Sequence, residues 1–99
     1  MILGTVTKQP AETFSRYIDF VRRLDSSETL TGVGVTATDA ASGSDTTAVV
    51  VSQPAISGTK GQARLSAGFT ADSHVIQVRV TTSLGNTYED EFLLLIREE

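Results

Sequence analysis

The 99-residue chain contains no cysteine and no tryptophan, only two prolines, and no apolar run longer than Phe92–Ile96. Without cysteine there is no disulfide framework, no thiolate ligand and no thiol nucleophile. A run of that length is far short of the ~20 apolar residues of a membrane-spanning helix. The start Met1-Ile2-Leu3-Gly4 lacks the charged region and long apolar stretch of a signal peptide, so synthesis in the cytoplasm without a leader is expected. Cations are also scarce, with eight Lys and Arg against twelve Asp and Glu for a net charge of -4. Only Arg22 and Arg23 are adjacent, and a pair makes no electrostatic stripe. Nucleic-acid binding depends on cations displacing condensed counterions, so this class is excluded, and no membrane partner is expected.

What is abundant is β-branching. The chain has 14 Thr, 10 Val and 5 Ile, residues stiff at the β-carbon that suit pleated strands better than helices. A chain of this size buries roughly 65% of its unfolded surface. That is enough for one thin core, so residues 1–99 are expected to form a single domain. Alternation predicts strands over Thr29–Thr38, Thr46–Ser52, Gln62–Phe69, His74–Thr82 and Thr87–Arg97. A further strand is favoured over Phe14–Val21 although Phe14, Ile18 and Val21 also fit a helical stripe. Pro10 ends any strand begun at Leu3, and Pro54-Ala55-Ile56-Ser57-Gly58 reads as a short edge piece, since proline cannot donate into a central ladder. Residues 39–45, 71–73 and 84–86 carry turn chemistry. Strands recurring every 8–12 residues or so between turns are the mark of an all-β sandwich or barrel.

Motifs that resemble chemistry dissolve on inspection. Gly32-Val33-Gly34-Val35-Thr36-Ala37 matches the letter of a dinucleotide fingerprint, but that mechanism needs a helix opening inside it, and this segment alternates like a strand. His74 is the sole histidine, so a two-histidine metal site is impossible. A G-x-S-x-G nucleophile elbow is absent, and nothing in the sequence points to a serine–histidine pair. Glu89, Asp90 and Glu91 cannot converge, because alternation sends Asp90 to the opposite face, where it is expected to satisfy loop amides. Asp39, Asp45 and Asp72 lack the spacing of a calcium loop and read as turn residues. No catalytic residue, metal or cofactor is assigned.

Two contact surfaces follow from the last hairpin. A three-residue loop at 84–86 pairs Ser83 with Thr87, Arg79 with Glu91 and Val75 with Leu95. It keeps Phe92, Leu94 and Ile96 inward, whereas a two-residue loop would turn them out. Val75, Leu93 and Leu95 then point away from the core as a candidate interface. The rival surface is loop-borne: Asp39, Ser42 and Asp45 with Leu84 and Asn86, expected at one end of the molecule. A carbohydrate-binding or adhesive module is an alternative on such a scaffold, although the lack of Trp and only two Tyr argue against a sugar-stacking platform. A small enzyme is the weakest class.

Two blocks carry a family resemblance. The first is Pro10 with Tyr17-Ile18-Asp19-Phe20, Leu24 and Glu28-Thr29-Leu30. The second is Val78, Thr81-Thr82-Ser83-Leu84-Gly85 and Tyr88-Glu89-Asp90-Glu91-Phe92. The chain resembles small virion structural proteins of tailed phages and prophages, of the fibre–tail adaptor kind. Arg22-Arg23 departs from the small or aromatic residues expected after the Tyr-x-Asp-Phe strand. The resemblance implies an immunoglobulin-like or fibronectin type III-like β-sandwich of about seven antiparallel strands with no catalytic residues. It also implies other phage structural proteins or self-association as partners, in the virion or in the host cytoplasm during assembly. The core of such a sandwich would rest on Phe14, Phe20, Phe69 and Phe92 with the Val, Ile and Leu ladders.

Overall fold

The computed structural model describes residues 2–9, 11–66 and 73–97. Its strands are β1 (Ile2–Lys8), β2 (Phe14–Asp19), β3 (Leu30–Asp39), β4 (Val51–Ser57), β5 (Lys60–Leu65), β6 (Ser73–Thr82) and β7 (Thr87–Ile96). They form two sheets, a four-stranded one ordered β1-β7-β6-β3 and a three-stranded one ordered β2-β5-β4. All pairings are antiparallel except β1 with β7. The protein is an all-β sandwich. The expected positions of Phe69 and Asp72 and the 71–73 turn touch residues 67–72, which lie outside the described residues.

Alternation fixes which residues face inward. Ile76, Val78 and Val80 on β6 and Leu94 and Ile96 on β7 are fully buried. They meet Ala63 and Leu65 of β5 and Ile18 of β2 from the other sheet, with Phe20 and Val50 filling the ends. The sheets approach closely at Gly61, where a β-carbon would stand 2.9 Å from Val78 Cγ1 and 3.1 Å from Val80 Cγ1. Phe14 is only partly buried, at the margin of the core.

The hairpin register differs from the expected one by two residues. Val75 pairs with Leu93, Ile76 with Phe92, and Arg79 with Glu89. The loop has the expected length but comprises Ser83-Leu84-Gly85, closed by Thr82 N–H donating to Asn86 C=O at 3.0 Å. Gly85 takes φ 82°, the left-handed position that ends a three-residue hairpin loop. A slip of two preserves the faces, so the inward and outward assignments survive. The expected cross-strand ion pair forms with Glu89, at 2.8 Å, and not with Glu91.

Residues 46–52 do not form one strand. Thr47–Val50 is a single helical turn, α1, before β4 begins. The Asp45 carboxylate accepts from Thr47 N–H and Oγ1, while Thr47 Oγ1 accepts from Ala37 N–H at 2.9 Å. This tether curls a segment holding Thr47, Val49 and Val50 against their β propensity, and Val50 is buried. Pro54 sits inside β4, an edge strand with a bulge between Ser52 and Ala55, where a missing donor does no harm.

Candidate interaction surfaces

The sandwich is elongated, and its loops gather at two ends. At one end lie the 20–29 connection, the Gly58-Thr59 turn and the Ser83–Gly85 loop, tied by Phe20 N–H to Thr59 C=O and Ser83 N–H to Thr29 C=O. The 39–45 loop is at the other end, since Asp39 pairs with His74 at the start of β6 while Leu30 pairs with Thr82 at its finish. β3 separates the two by about 30 Å at the rise of a strand. The expectation that the 39–45 loop and the last hairpin turn share an end is therefore overturned. The cause is simple: β3 enters from one loop cluster and leaves at the other.

Most of the loop residues singled out in the sequence are engaged internally. Asp39 Oδ1 accepts from the amides of Ala41 and Ser42, which holds its carboxyl below the usual range. Asp45 is held low in the same way by Thr47. Ser42 is exposed and its hydroxyl donates to Ser44. Asn86 is exposed, and its side-chain amide donates to Glu28 at 2.9 Å. Of these residues, Leu84 alone presents a large apolar side chain, 55% exposed. Among the described residues, no three His, Asp or Glu side chains are grouped to hold a metal ion.

The outer face of the four-stranded sheet is different. Leu93 pairs with Val75 on one side and Thr5 on the other, and Val75 pairs with Thr38. Thr5, Leu93, Val75 and Thr38 thus form one row crossing all four strands. The next row holds Thr7, Leu95 and Ser73. Val75, Leu93 and Leu95 are half-buried, whereas their chain neighbours Ile76, Phe92, Leu94 and Ile96 are buried in the core. The patch is apolar at its centre and rimmed by threonine. Toward the last hairpin it gives way to Gln77 opposite Glu91, then to the Arg79–Glu89 pair. Such a patch can be dehydrated without stranding a charge.

Two polar anchors have partners that the sequence reading did not give. Asp90, buried on the core side, receives both its hydrogen bonds from the Arg23 guanidinium, at 2.5 and 2.6 Å. It was expected to bind loop amides, but Arg23 reaches it first because the Val21–Arg23 turn of 3₁₀ helix lies across the start of β7. The second anchor is Glu28, also buried. It accepts from Thr82 Oγ1, Asn86 Nδ2 and the Asp25 N–H, and these bonds hold its carboxyl below the usual glutamate range. The Asp25-to-Glu28 link is half of a capping box, formed without a helix to cap. That spacing and the core-facing parity of Asp90 were the available signals.

The two anchors join the segments that carried the resemblance, Arg23 and Glu28 from the first connection and Thr82, Asn86 and Asp90 from the last hairpin. Residues 8–95 match the family model described as Podophage GP4 fiber-tail adaptor protein gp77. The chain belongs to this fiber-tail adaptor family. The match runs from the end of β1 almost to the end of β7, so it takes in both sheets and the whole Val75, Leu93 and Leu95 patch. Membership in the adaptor family makes the protein a component of a phage tail and bears out the resemblance. No curated protein matches the chain. Within the adaptor sandwich, no described helix is long and apolar enough to cross a membrane.

Proposed function

We propose that this adaptor-family protein is a non-enzymatic joint of the phage tail, holding fibre and tail proteins together by protein–protein contact. The observation that carries this reading is the apolar row of Leu93 and Val75 with adjacent Leu95, set on the rigid central strands β6 and β7. A contact surface built on paired strands is better preorganised than one built on loops. Partners are other phage structural proteins or further copies of the chain, and the chain works as a single immunoglobulin-like domain over residues 1–99. The neighbour orders β3-β6-β7 and β2-β5-β4 support that architecture, since they correspond to the C-F-G and B-E-D arrangements of such sandwiches.

Leu95→Asp tests the reading. The side chain is half-buried on the outer face, outside the core cluster, so the variant is expected to fold, while a carboxylate in a dehydrated contact is expensive. Sedimentation of the chain alone and with the tail and fibre-attachment proteins of its own phage is expected to show at least tenfold weaker association for the variant. Unchanged association for a folded variant would remove this face from the account.

A further inference from the structure

The two seams of the sandwich are closed differently. Between β3 and β4 the α1 turn and the Asp45–Thr47–Ala37 hydrogen bonds fill the gap. Between β1 and β2, the last strands of their sheets, there is instead an open cleft of about 330 Å³. Its floor is apolar, formed by Val6 of β1, Ile18 of β2 and Phe92 of β7. Ile18 and Phe92 belong to the core, so the cleft opens directly onto it. At Gly4 a β-carbon would meet nothing within 4 Å among the described residues.

Arg16 gives the cleft a chemical preference. By register it faces the core, opposite Ala63, which is fully buried. Because β2 is an edge strand, the Arg16 side chain nevertheless emerges to solvent along the cleft. Its guanidinium lies 4.4 Å from the centroid of the Phe14 ring and donates to Ser15 C=O, which preorganises the charge at the mouth. A second cation, Lys60, lies 4.7 Å from the ring centroid of Tyr17, another lining residue. The lining carboxylate, Asp19, is engaged by the Thr59 hydroxyl and the Val21 amide.

We propose that this seam receives an extended segment of a partner protein, one that alternates apolar side chains with a carboxylate placed against Arg16. The apolar side chains occupy the floor over Val6, Ile18 and Phe92. The backbone of the segment lies along the strand edges, as in strand addition, and the carboxylate meets a planar guanidinium suited to donate to it in two-point fashion. The inference goes beyond the outer-face reading and does not rest on it, because the cleft and the Val75, Leu93 and Leu95 patch are different surfaces. Arg16 has one competing role, as an inward-pointing charge that merely discourages edge-to-edge pairing.

The test uses the full chain and two blocked peptides, Ser-Val-Thr-Val-Thr-Glu-Ser and the same sequence with Lys in place of Glu. Binding is followed by backbone amide shifts and by tyrosine fluorescence. The glutamate peptide is expected to bind at least tenfold more tightly than the lysine peptide, with shifts centred on residues 4–6 and 14–18. Arg16→Glu should invert that preference, and Leu95→Asp should leave it unchanged. Arg16→Gln, a milder change, should abolish the preference if the charge reversal compromises folding. The proposal is overturned if neither peptide moves the seam amides, if both bind equally, or if the Arg16 variants keep the wild-type preference. Self-association of Arg16→Gln without loss of peptide discrimination would likewise overturn it and leave Arg16 as an edge guard.

Discussion

Replacing Phe20 by alanine is expected to lower the melting temperature by about 15–30 °C, the largest effect of any single substitution considered. Phe20 is 1% exposed and packs in the core cluster at the end of β2. Truncating a buried phenylalanine typically costs about 3–5 kcal/mol, from lost transfer energy and from the cavity left behind. In a domain whose whole stability is roughly 5–15 kcal/mol, each kcal/mol is worth about 4–8 °C. The backbone of Phe20 also pins the corner, since its N–H donates to Thr59 C=O and its C=O accepts from Arg23 N–H. The cavity therefore cannot collapse without disturbing the turn that brings Arg23 to Asp90. Tyr17→Ala, three residues earlier and 54% exposed, is the control. It should move the transition by no more than about 4 °C. Equal, small shifts for the two variants in a thermal melt followed by circular dichroism would contradict the packing described.

Glu28→Ala is expected to be the second most damaging change, with a fall of roughly 10 °C in the melting temperature at pH 7. The substitution removes the acceptor shared by Thr82 Oγ1, Asn86 Nδ2 and the Asp25 amide, and Thr82 is buried. The side chain also links the 24–29 connection to the last hairpin, so both loops should gain amide exchange. Its pH dependence has a definite sign. The Thr82, Asn86 and Asp25 hydrogen bonds favour the charged form and hold the folded-state pKa below the ordinary value of 4.5. The stabilisation is thus present above about pH 4.5 and is lost as the pH falls through the depressed folded value. Asp19, Asp39 and Asp45 are held low by their own hydrogen bonds and add loss in the same direction, from near 3.8 downward. Melting curves from pH 7 to pH 2.5 should show a shallower acid decline in Glu28→Ala than in the natural chain. Parallel declines would mean that Glu28 is not the carboxylate tying the loops.

Much of the fold was legible because period-two alternation is a local property. The inward ladder of β6 and β7 follows directly from Ile76-x-Val78-x-Val80 and Phe92-x-Leu94-x-Ile96, and a register error of two residues left it intact. What alternation cannot reveal is which loop end meets which. The placement of the 39–45 loop beside the last hairpin failed because it required the direction of β3 relative to β6, a tertiary fact. The α1 turn was illegible for a related reason. Three of the four residues of Thr47–Val50 are β-branched and favour a strand, and what curls the segment is a tether to Ala37, ten residues away in sequence. For the surfaces, the outward parity of Val75, Leu93 and Leu95 could be read directly. Their assembly into a row with Thr5 and Thr38 needed the parallel pairing of β1 with β7, which no turn signals. Arg22-Arg23 looked like a departure from the family pattern, yet Arg23 supplies the partner that makes a buried Asp90 tolerable.

The central claim is that the chain joins tail and fibre proteins through the outer face of its four-stranded sheet. The direct measurement is made on particles of the phage that encodes it, produced with the natural chain or with Leu95→Asp supplied in its place. Purified particles are assayed for this chain by quantitative mass spectrometry and for fibres by electron microscopy. The account predicts a fixed copy number of the natural chain on fibred particles, with both the chain and the fibres lost from the Leu95→Asp particles. Fully fibred particles that carry the folded variant at the natural copy number, or fibred particles that never contain the chain, would contradict it.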